Sequence, residues 1–334
     1  MISYHIDTNI LPEMNYFSTY IYKLFILCLL LITVQSVSSQ QISHLGVENG
    51  INGRQVFNIV QDNKKFVWIS TRFGVDRFDG ANIKNYPMNI LHNGTIPIRS
   101  IKVGLDRDFS LWAYTDRGTI YKYDNQRDEF VVHIDLKLYI RSLFFDADNN
   151  ILVATRSDIG RVQGDTIQYL KELELKSELY RDILNYDKEN ILVVSTGNIY
   201  KYNINTKNTQ PFIDSDIIEK AGFVIETCLY DSNSKKLWIG TVNKGVFVYD
   251  IDTQQLKVGN DIRLWYHPVL SINKFDDEQM LIGTEGVGLC LLNIQSLQID
   301  KMYTQLSESK NRISGNAIYD IYKDIGNKIW LSTF

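Results

Sequence analysis

A strand-turn-strand unit, with Asp in its turn and Thr at the end of its second strand, recurs seven times along this chain of 334 residues. The Asp positions are Asp62, Asp106, Asp146, Asp187, Asp231, Asp276 and Asp324. The Thr positions are Thr71, Thr115, Thr155, Thr196, Thr241, Thr284 and Thr333. Each Asp precedes its Thr by 8 to 10 residues, and successive Thr lie 40 to 49 residues apart. A large apolar residue stands three positions before the Thr: Trp68, Trp112, Leu152, Val193, Trp238, Leu281 and Trp330. A glycine turn follows, then a third strand closing on Asp or Asn, as in GVDRFD (74–79) and GVFVYD (245–250). A fourth alternating stretch comes next, such as NIKNY (82–86) or TIQYL (166–170).

Each unit therefore reads as four short antiparallel strands joined by turns. One such sheet cannot bury both faces alone, whereas a ring of like sheets can. Four strands per period of about 40–45 residues predict a β-propeller. A sandwich or barrel is the alternative, but neither demands Trp/Leu-x-x-Thr in register. The period-two alternation of FVWIST and KLWIGT excludes a helical repeat. The fold class is all-β: a propeller of about seven four-stranded blades. Twenty Tyr, 15 Phe and 5 Trp against only 5 Pro fit pleated strands between Gly, Asn and Asp turns. The segment 177–185 is locally ambiguous with a helical turn, but the repeat register makes its second half an inner strand. The seventh unit reaches only one residue past its Thr, so its blade is expected to be incomplete. A half-blade exposes unpaired edges. The chain thus reads as a piece of a longer protein; the alternative is closure by an N-terminal strand from 41–46.

The N-terminal run LFILCLLLITV (24–34) follows Lys23 and precedes small and polar residues. That layout predicts a signal peptide over 1–39, with Val37 and Ser39 at the small-residue positions and cleavage before Gln40. The long stretch ahead of the run makes Met14 a second candidate start. The run is short of the roughly 20 apolar residues of a membrane span, and a signal anchor is the alternative. Residues 40–334 form the propeller domain, expected in the periplasm. Net charge is −4 with no basic block, so nucleic acid is not expected as a partner. Cys28, Cys228 and Cys290 show no metal-ligand spacing; the last two read as small buried hydrophobes.

The stretch 42–86 carries ENGI (48–51), Asp62, WIST (68–71) and GVDRFDG (74–80). It resembles the periplasmic two-component regulator propeller repeat. LWIGTVNKGVFVYD (237–250) and IWLST (329–333) resemble it too, while repeats three and four lack the Trp and the Arg-aromatic-Asp. The resemblance extends over 42–334. It implies the N-terminal sensor region of a Bacteroidetes-type hybrid two-component sensor histidine kinase. Such a propeller would sense an oligosaccharide and relay the signal to a membrane-linked kinase in the missing part of the same chain, a homodimer at full length. No kinase motif stands in the sequence itself.

No Ser/His/Asp or Cys/His spacing links His5, His44, His92, His133 and His267, and no phosphate-loop, zinc-protease or hydrolase motif occurs. No catalytic residue, cofactor or metal is expected. The repeated Asp reads as a turn cap; one oxygen per turn falls short of the six or more that calcium takes. Ligands of propellers gather at one mouth of the central channel, on the loops between second and third strands and between blades. There stand Arg72 with Phe73, Arg117 with Asp116, Arg156 with Asp158, Lys244, and Glu285. The inter-blade loops 92–97 and 264–268 join them, and the second supplies Trp265, Tyr266 and His267. These residues are the candidate ligand-binding set. A propeller-fold polysaccharide lyase or glycoside hydrolase is the competing class, and a protein-interaction scaffold the third. Hydrolysis would need two carboxylates about 5–9.5 Å apart, with Asp116, Asp158 and Glu285 as candidates. The N-terminal reading has a direct test: the intact mass of the exported protein should place its first residue at Gln40, and retention of 1–39 would make the segment an anchor.

Overall fold

The computed structural model describes residues 42–88, 91–92, 96–170, 179–259 and 261–334, together with Ile21 and Lys23. The apolar run 24–34 with Cys28, the cleavage residues Val37, Ser39 and Gln40, and Met14 lie outside the described residues.

Among the described residues, six antiparallel sheets hold four strands each, in blades spanning 56–87, 101–135, 142–169, 180–211, 225–258 and 269–303. A seventh unit holds two strands, Ile318–Lys323 and Ile329–Thr333. The expectation of four-stranded blades is met in six of the seven units. Within every sheet the strands pair in chain order. A short hairpin, Leu91–His92 against Ile96–Pro97, sits between the first two blades. The inner strand of blade four runs Tyr180–Asn185, as the repeat register required. One helix, Ser215–Ala221, was not expected from the repeat. Asp214 caps its start by accepting the Asp216 N–H, and Gly222 ends it in the left-handed conformation at φ 61°.

The core is a set of interfaces between sheets. Trp68 and Tyr86 of blade one pack on Ile101, Leu111 and Tyr123 of blade two. Trp112 meets Phe145 and Val153 of blade three, and Leu152 meets Tyr180 and Ile183 of blade four. Leu192 meets Ile225 and Ile239 of blade five, and Trp238 meets Val269 and Ile282 of blade six. Leu281 and Leu289 then pack on Ile318 and Ile321 of the seventh unit. Tyr322 and Trp330 of that unit lie against Ile59, Val67 and Phe78 of blade one. Burial thus runs round a closed series, each four-stranded sheet covering the apolar faces of its neighbours, while the second strand of the seventh unit stays partly exposed. Cys228 and Cys290 are buried in these interfaces, and burial pushes both thiols up.

Repeat four departs from the sequence reading by one residue. Tyr180 faces Ser195 across the first strand pair, as Val56 faces Thr71 and Ile225 faces Thr241. The Ser195 hydroxyl donates to the Asn198 carbonyl at 2.8 Å, as Thr241 does to Gly245 at 2.8 Å and Thr284 to Gly288 at 2.9 Å. Ser195 and Leu192 therefore stand where Thr196 and Val193 were expected. A hydroxyl on either side chain can close the turn, which is why the neighbouring Thr was a plausible anchor.

The seam between the seventh unit and blade one is polar as well as apolar. The Asp320 carboxylate accepts the Ile59 N–H across the seam at 3.0 Å and the Ile321 N–H at 2.9 Å. The Gln61 amide oxygen accepts the Ile325 N–H at 3.0 Å. Residues 42–46 do not form the closing strand considered above. Instead Ile42 and Leu45 pack on the apolar clusters either side of the seventh unit, and His44 Nδ1 meets the Ser314 hydroxyl at 2.7 Å.

Two outcomes follow from this packing. Trp238 is 1% exposed between blades five and six, so Trp238→Ala should cost roughly 3–5 kcal/mol of unfolding free energy; an unchanged melting temperature would contradict the interface. Burial raises the Asp320 carboxyl from 3.8 to about 6. The folded chain holds that proton more tightly than the unfolded chain does. The stability from this group is therefore full below the unfolded value and lost as pH rises through about 6. Measured against Asp320→Asn, the native chain should gain about 2–3 kcal/mol between about pH 7 and pH 4. A difference that is flat with pH would show that the carboxyl is not buried at the seam.

Candidate functional site

Consecutive antiparallel strands fix which loops share an end of the ring. Loops between second and third strands, and loops between blades, leave at one end; the Asp turns leave at the other. The structure ties the first two kinds together. Tyr266 N–H donates to the Asn243 carbonyl at 3.1 Å, Glu285 N–H to Pro268 at 2.8 Å and Gly286 N–H to Asn316 at 2.9 Å. The expected site residues all stand at this end.

Their roles differ. Arg72 and Arg156 are exposed. Arg117 is half-buried, its Nε reaching the Pro97 carbonyl at 3.4 Å, and the adjacent Asp116 is 4% exposed and accepts the Arg99 N–H at 3.0 Å. Asp116 is thus occupied in holding its own loop. Lys244 Nζ donates to the Ala221 carbonyl at 2.7 Å and so closes the last turn of the helix Ser215–Ala221. Glu285 is exposed, and its carbonyl meets His267 Nδ1 at 3.3 Å. Trp265 is 38% and Tyr266 81% exposed, with Ile262 beside them at 73%. Tyr266 is held at φ 64°, which turns the bulky ring outward at some backbone cost. In the loop 92–97, residues 93–95 lie outside the described residues.

A convergence of charge lies one layer deeper at this end, on the innermost strands. The second position of those strands carries Phe57, Lys102, Arg181, Glu226, Leu270 and Tyr319 in blades one, two, four, five, six and the seventh unit. Arg141, immediately before the inner strand Ser142–Phe145, holds that place in blade three. Two arginines meet one carboxylate here. Arg181 Nη2 lies 2.9 Å from Glu226 Oε2, and its Nη1 donates to Oε1 at 3.3 Å. Arg141 Nη2 approaches the same Oε1 at 3.4 Å. Burial outweighs both arginines and raises the Glu226 carboxyl above its usual range, with Glu285 pushing the same way and Lys102 opposing. Burial lowers the Arg181 guanidinium, Glu226 opposing and Arg141 adding to it. Glu285 is the residue of the expected set that this cluster feels. Loop reasoning missed Arg141, Arg181, Glu226 and Lys102. The available signal was a charge at the same early position of four successive first strands, where other repeats carry Phe, Leu or Tyr.

No protein-family model matches the chain, and no curated protein does. Solved structures do. The extracellular domain of the putative hybrid two component system BT4673 from B. thetaiotaomicron superposes with a TM-score of 0.70 at 19% identity, over 88% of this chain and 38% of that one. The corresponding domain of BT3049 from the same organism gives 0.68 at 20% identity, over 88% and 40%. The chain spans about two-fifths of the length of these solved structures. The likeness is one of fold: the chain is an all-β propeller like these extracellular domains, in keeping with the family that its repeats resemble.

Proposed function

We propose that this chain is the ligand-sensing propeller of an extracytoplasmic two-component receptor, and that its ligand is an oligosaccharide bound at the loop-bearing mouth. The observation that carries the reading is the convergence of Arg141, Arg181 and Glu226 from three neighbouring blades. Blade one, blade six and the seventh unit place Phe57, Leu270 and Tyr319 at the same position, so the fold does not call for charge there. Above this floor the rim offers what a sugar needs: exposed aromatic faces at Trp265 and Tyr266, and cationic hydrogen-bond donors at Arg72, Arg117 and Arg156. Lys244, committed to the helix end, is a support for the Trp265 loop rather than a ligand contact.

The rest of the reading leans on the fold likeness and the repeats. In it the segment 1–39 exports the chain, the propeller works in the periplasm, and the seventh unit belongs to a blade of four strands. The signal passes to a membrane-linked kinase within a longer, dimeric protein. The reading is non-catalytic. Asp116, one of the three carboxylates that hydrolysis could have used, is consumed by its loop, and Glu226 is pinned between guanidiniums.

Calorimetry of the 334-residue chain against a panel of plant and host oligosaccharides, with chromatography of the recovered sugar, tests the proposal. The expected result is saturable binding of an unaltered sugar, weakened about tenfold or more by Trp265→Ala. Recovery of cleaved sugar would move the protein to the enzyme class.

A further inference from the structure

The donor geometry of the mouth says which oligosaccharides suit it, an inference that rests on the sugar-sensing reading above. Two arginines share the Glu226 carboxylate, and it does not engage them equally. Arg181 is the deeper arginine, its side chain 15% exposed, and it engages both Glu226 oxygens. Arg141 is 32% exposed and shares one of those oxygens at 3.4 Å. A guanidinium has five N–H donors, and among the described residues the one long contact to Glu226 uses a single donor of Arg141. The Nε of Arg181 is buried and lacks a hydrogen-bond partner among the described residues.

This arrangement is a poor device for stability. Buried ion pairs add little net stabilisation over apolar residues of similar size, and the ring itself provides the comparison. Phe57 and Leu270 serve the equivalent positions in blades one and six, whose second strands are as buried as those of the charged blades. It is a good device for receiving an anion. Planar, paired donors match carboxylate and sulfate geometry, and the surrounding burial strengthens each contact. Glu226 already occupies the seat that such a group would take on Arg181, so an incoming acid meets a partly filled site with an open side at Arg141.

We propose that Arg141, backed by Arg181, binds a carboxylate or sulfate group of an acidic oligosaccharide, and that Glu226 is the resident carboxylate with which it competes.

The test is titration calorimetry of the 334-residue chain with four probes: a galacturonic acid trisaccharide, a sulfated disaccharide, the neutral galactose trisaccharide, and sodium sulfate alone. At least one acidic sugar should bind ten or more times tighter than the neutral one, and the two acidic probes separate carboxylate from sulfate as the source. Arg141→Ala should abolish that preference, and Arg141→Lys should restore part of it. Glu226→Gln should tighten the acidic sugar several-fold, an effect that a merely structural ion pair would not produce. Melting curves confirm that each variant is folded; should Arg141→Ala not fold, Arg141→Gln takes its place. Equal binding of acidic and neutral sugars would overturn the inference and leave the sugar-sensing reading standing. Arg141-dependent binding of sulfate with no sugar bound would keep the anion site and remove the oligosaccharide reading. An acid preference untouched by loss of Arg141 in a folded variant would overturn the assignment.

Discussion

The fold depends on one carboxylate used seven times. In every repeat the first-turn Asp accepts backbone N–H groups two to four residues ahead. Asp62 takes Lys64 and Phe66 at 2.9 Å, and Asp276 takes Glu278 at 2.9 Å and Gln279 at 2.8 Å. In three repeats its second oxygen accepts the indole N–H six residues on: Trp68 at 2.8 Å, Trp112 at 2.9 Å and Trp330 at 2.8 Å. That bond lets a large aromatic ring be buried between blades without stranding its donor. In repeats three and four, which lack the Trp, another donor takes over. Asp146 receives Arg161 and Asn150, and Asp187 receives Asn190. In repeat five one more residue separates Asp231 from Trp238, and the Ser234 hydroxyl donates to the second Asp231 oxygen at 2.8 Å instead. The spacing of Asp and Trp is therefore a hydrogen-bond length written into sequence.

Because turns and inter-blade faces carry the fold, the inner strands have polar positions to spare, and these divide into two uses. One set stitches neighbours. Asn58 accepts the Val103 N–H at 3.0 Å and donates to its carbonyl at 2.7 Å, Ser142 meets Asp182 at 2.5 Å, Asn273 donates to the Ile321 carbonyl at 2.9 Å, and Asp320 closes the seam. Such buried bonds fix register more than they add stability. The other set, at the second position of the strand, stitches nothing in blades one and six, and is charged in blades two to five.

This division explains how much of the molecule could be read beforehand. The ring was legible because Asp, Trp and Thr are bound to one another at fixed separations, so any repeat that keeps the bonds keeps the spacing. Repeat four was misplaced by a residue because Ser195 and Thr196 are chemically interchangeable as the turn-closing hydroxyl. The helix Ser215–Ala221 was missed although Asp214 and Gly222 flank it, since seven residues are too few to show a period against a strand-like background. The mouth was half legible. Loops could be assigned to the correct end from strand order alone, but Lys244 was spent on a helix carbonyl and Asp116 on its own backbone. Arg141, Arg181 and Glu226 were hidden for a geometric reason. Period-two alternation says that neighbouring residues face opposite ways, and gives no indication of which of them faces the ring axis.

Arg141, Arg181 and Glu226 come from three different blades, so any group that they hold is held across two interfaces at once. Within a blade the strands are hydrogen-bonded and stiff. Between blades three and four, and four and five, contact is mostly through side chains such as Leu152 on Tyr180 and Leu192 on Ile225, with single backbone bonds from Tyr180 N–H to the Arg156 carbonyl and from Ile225 N–H to the Thr196 carbonyl. A group held by Arg141, Arg181 and Glu226 together would bear on both of these interfaces, whereas the same group held on one loop of one blade would bear on neither.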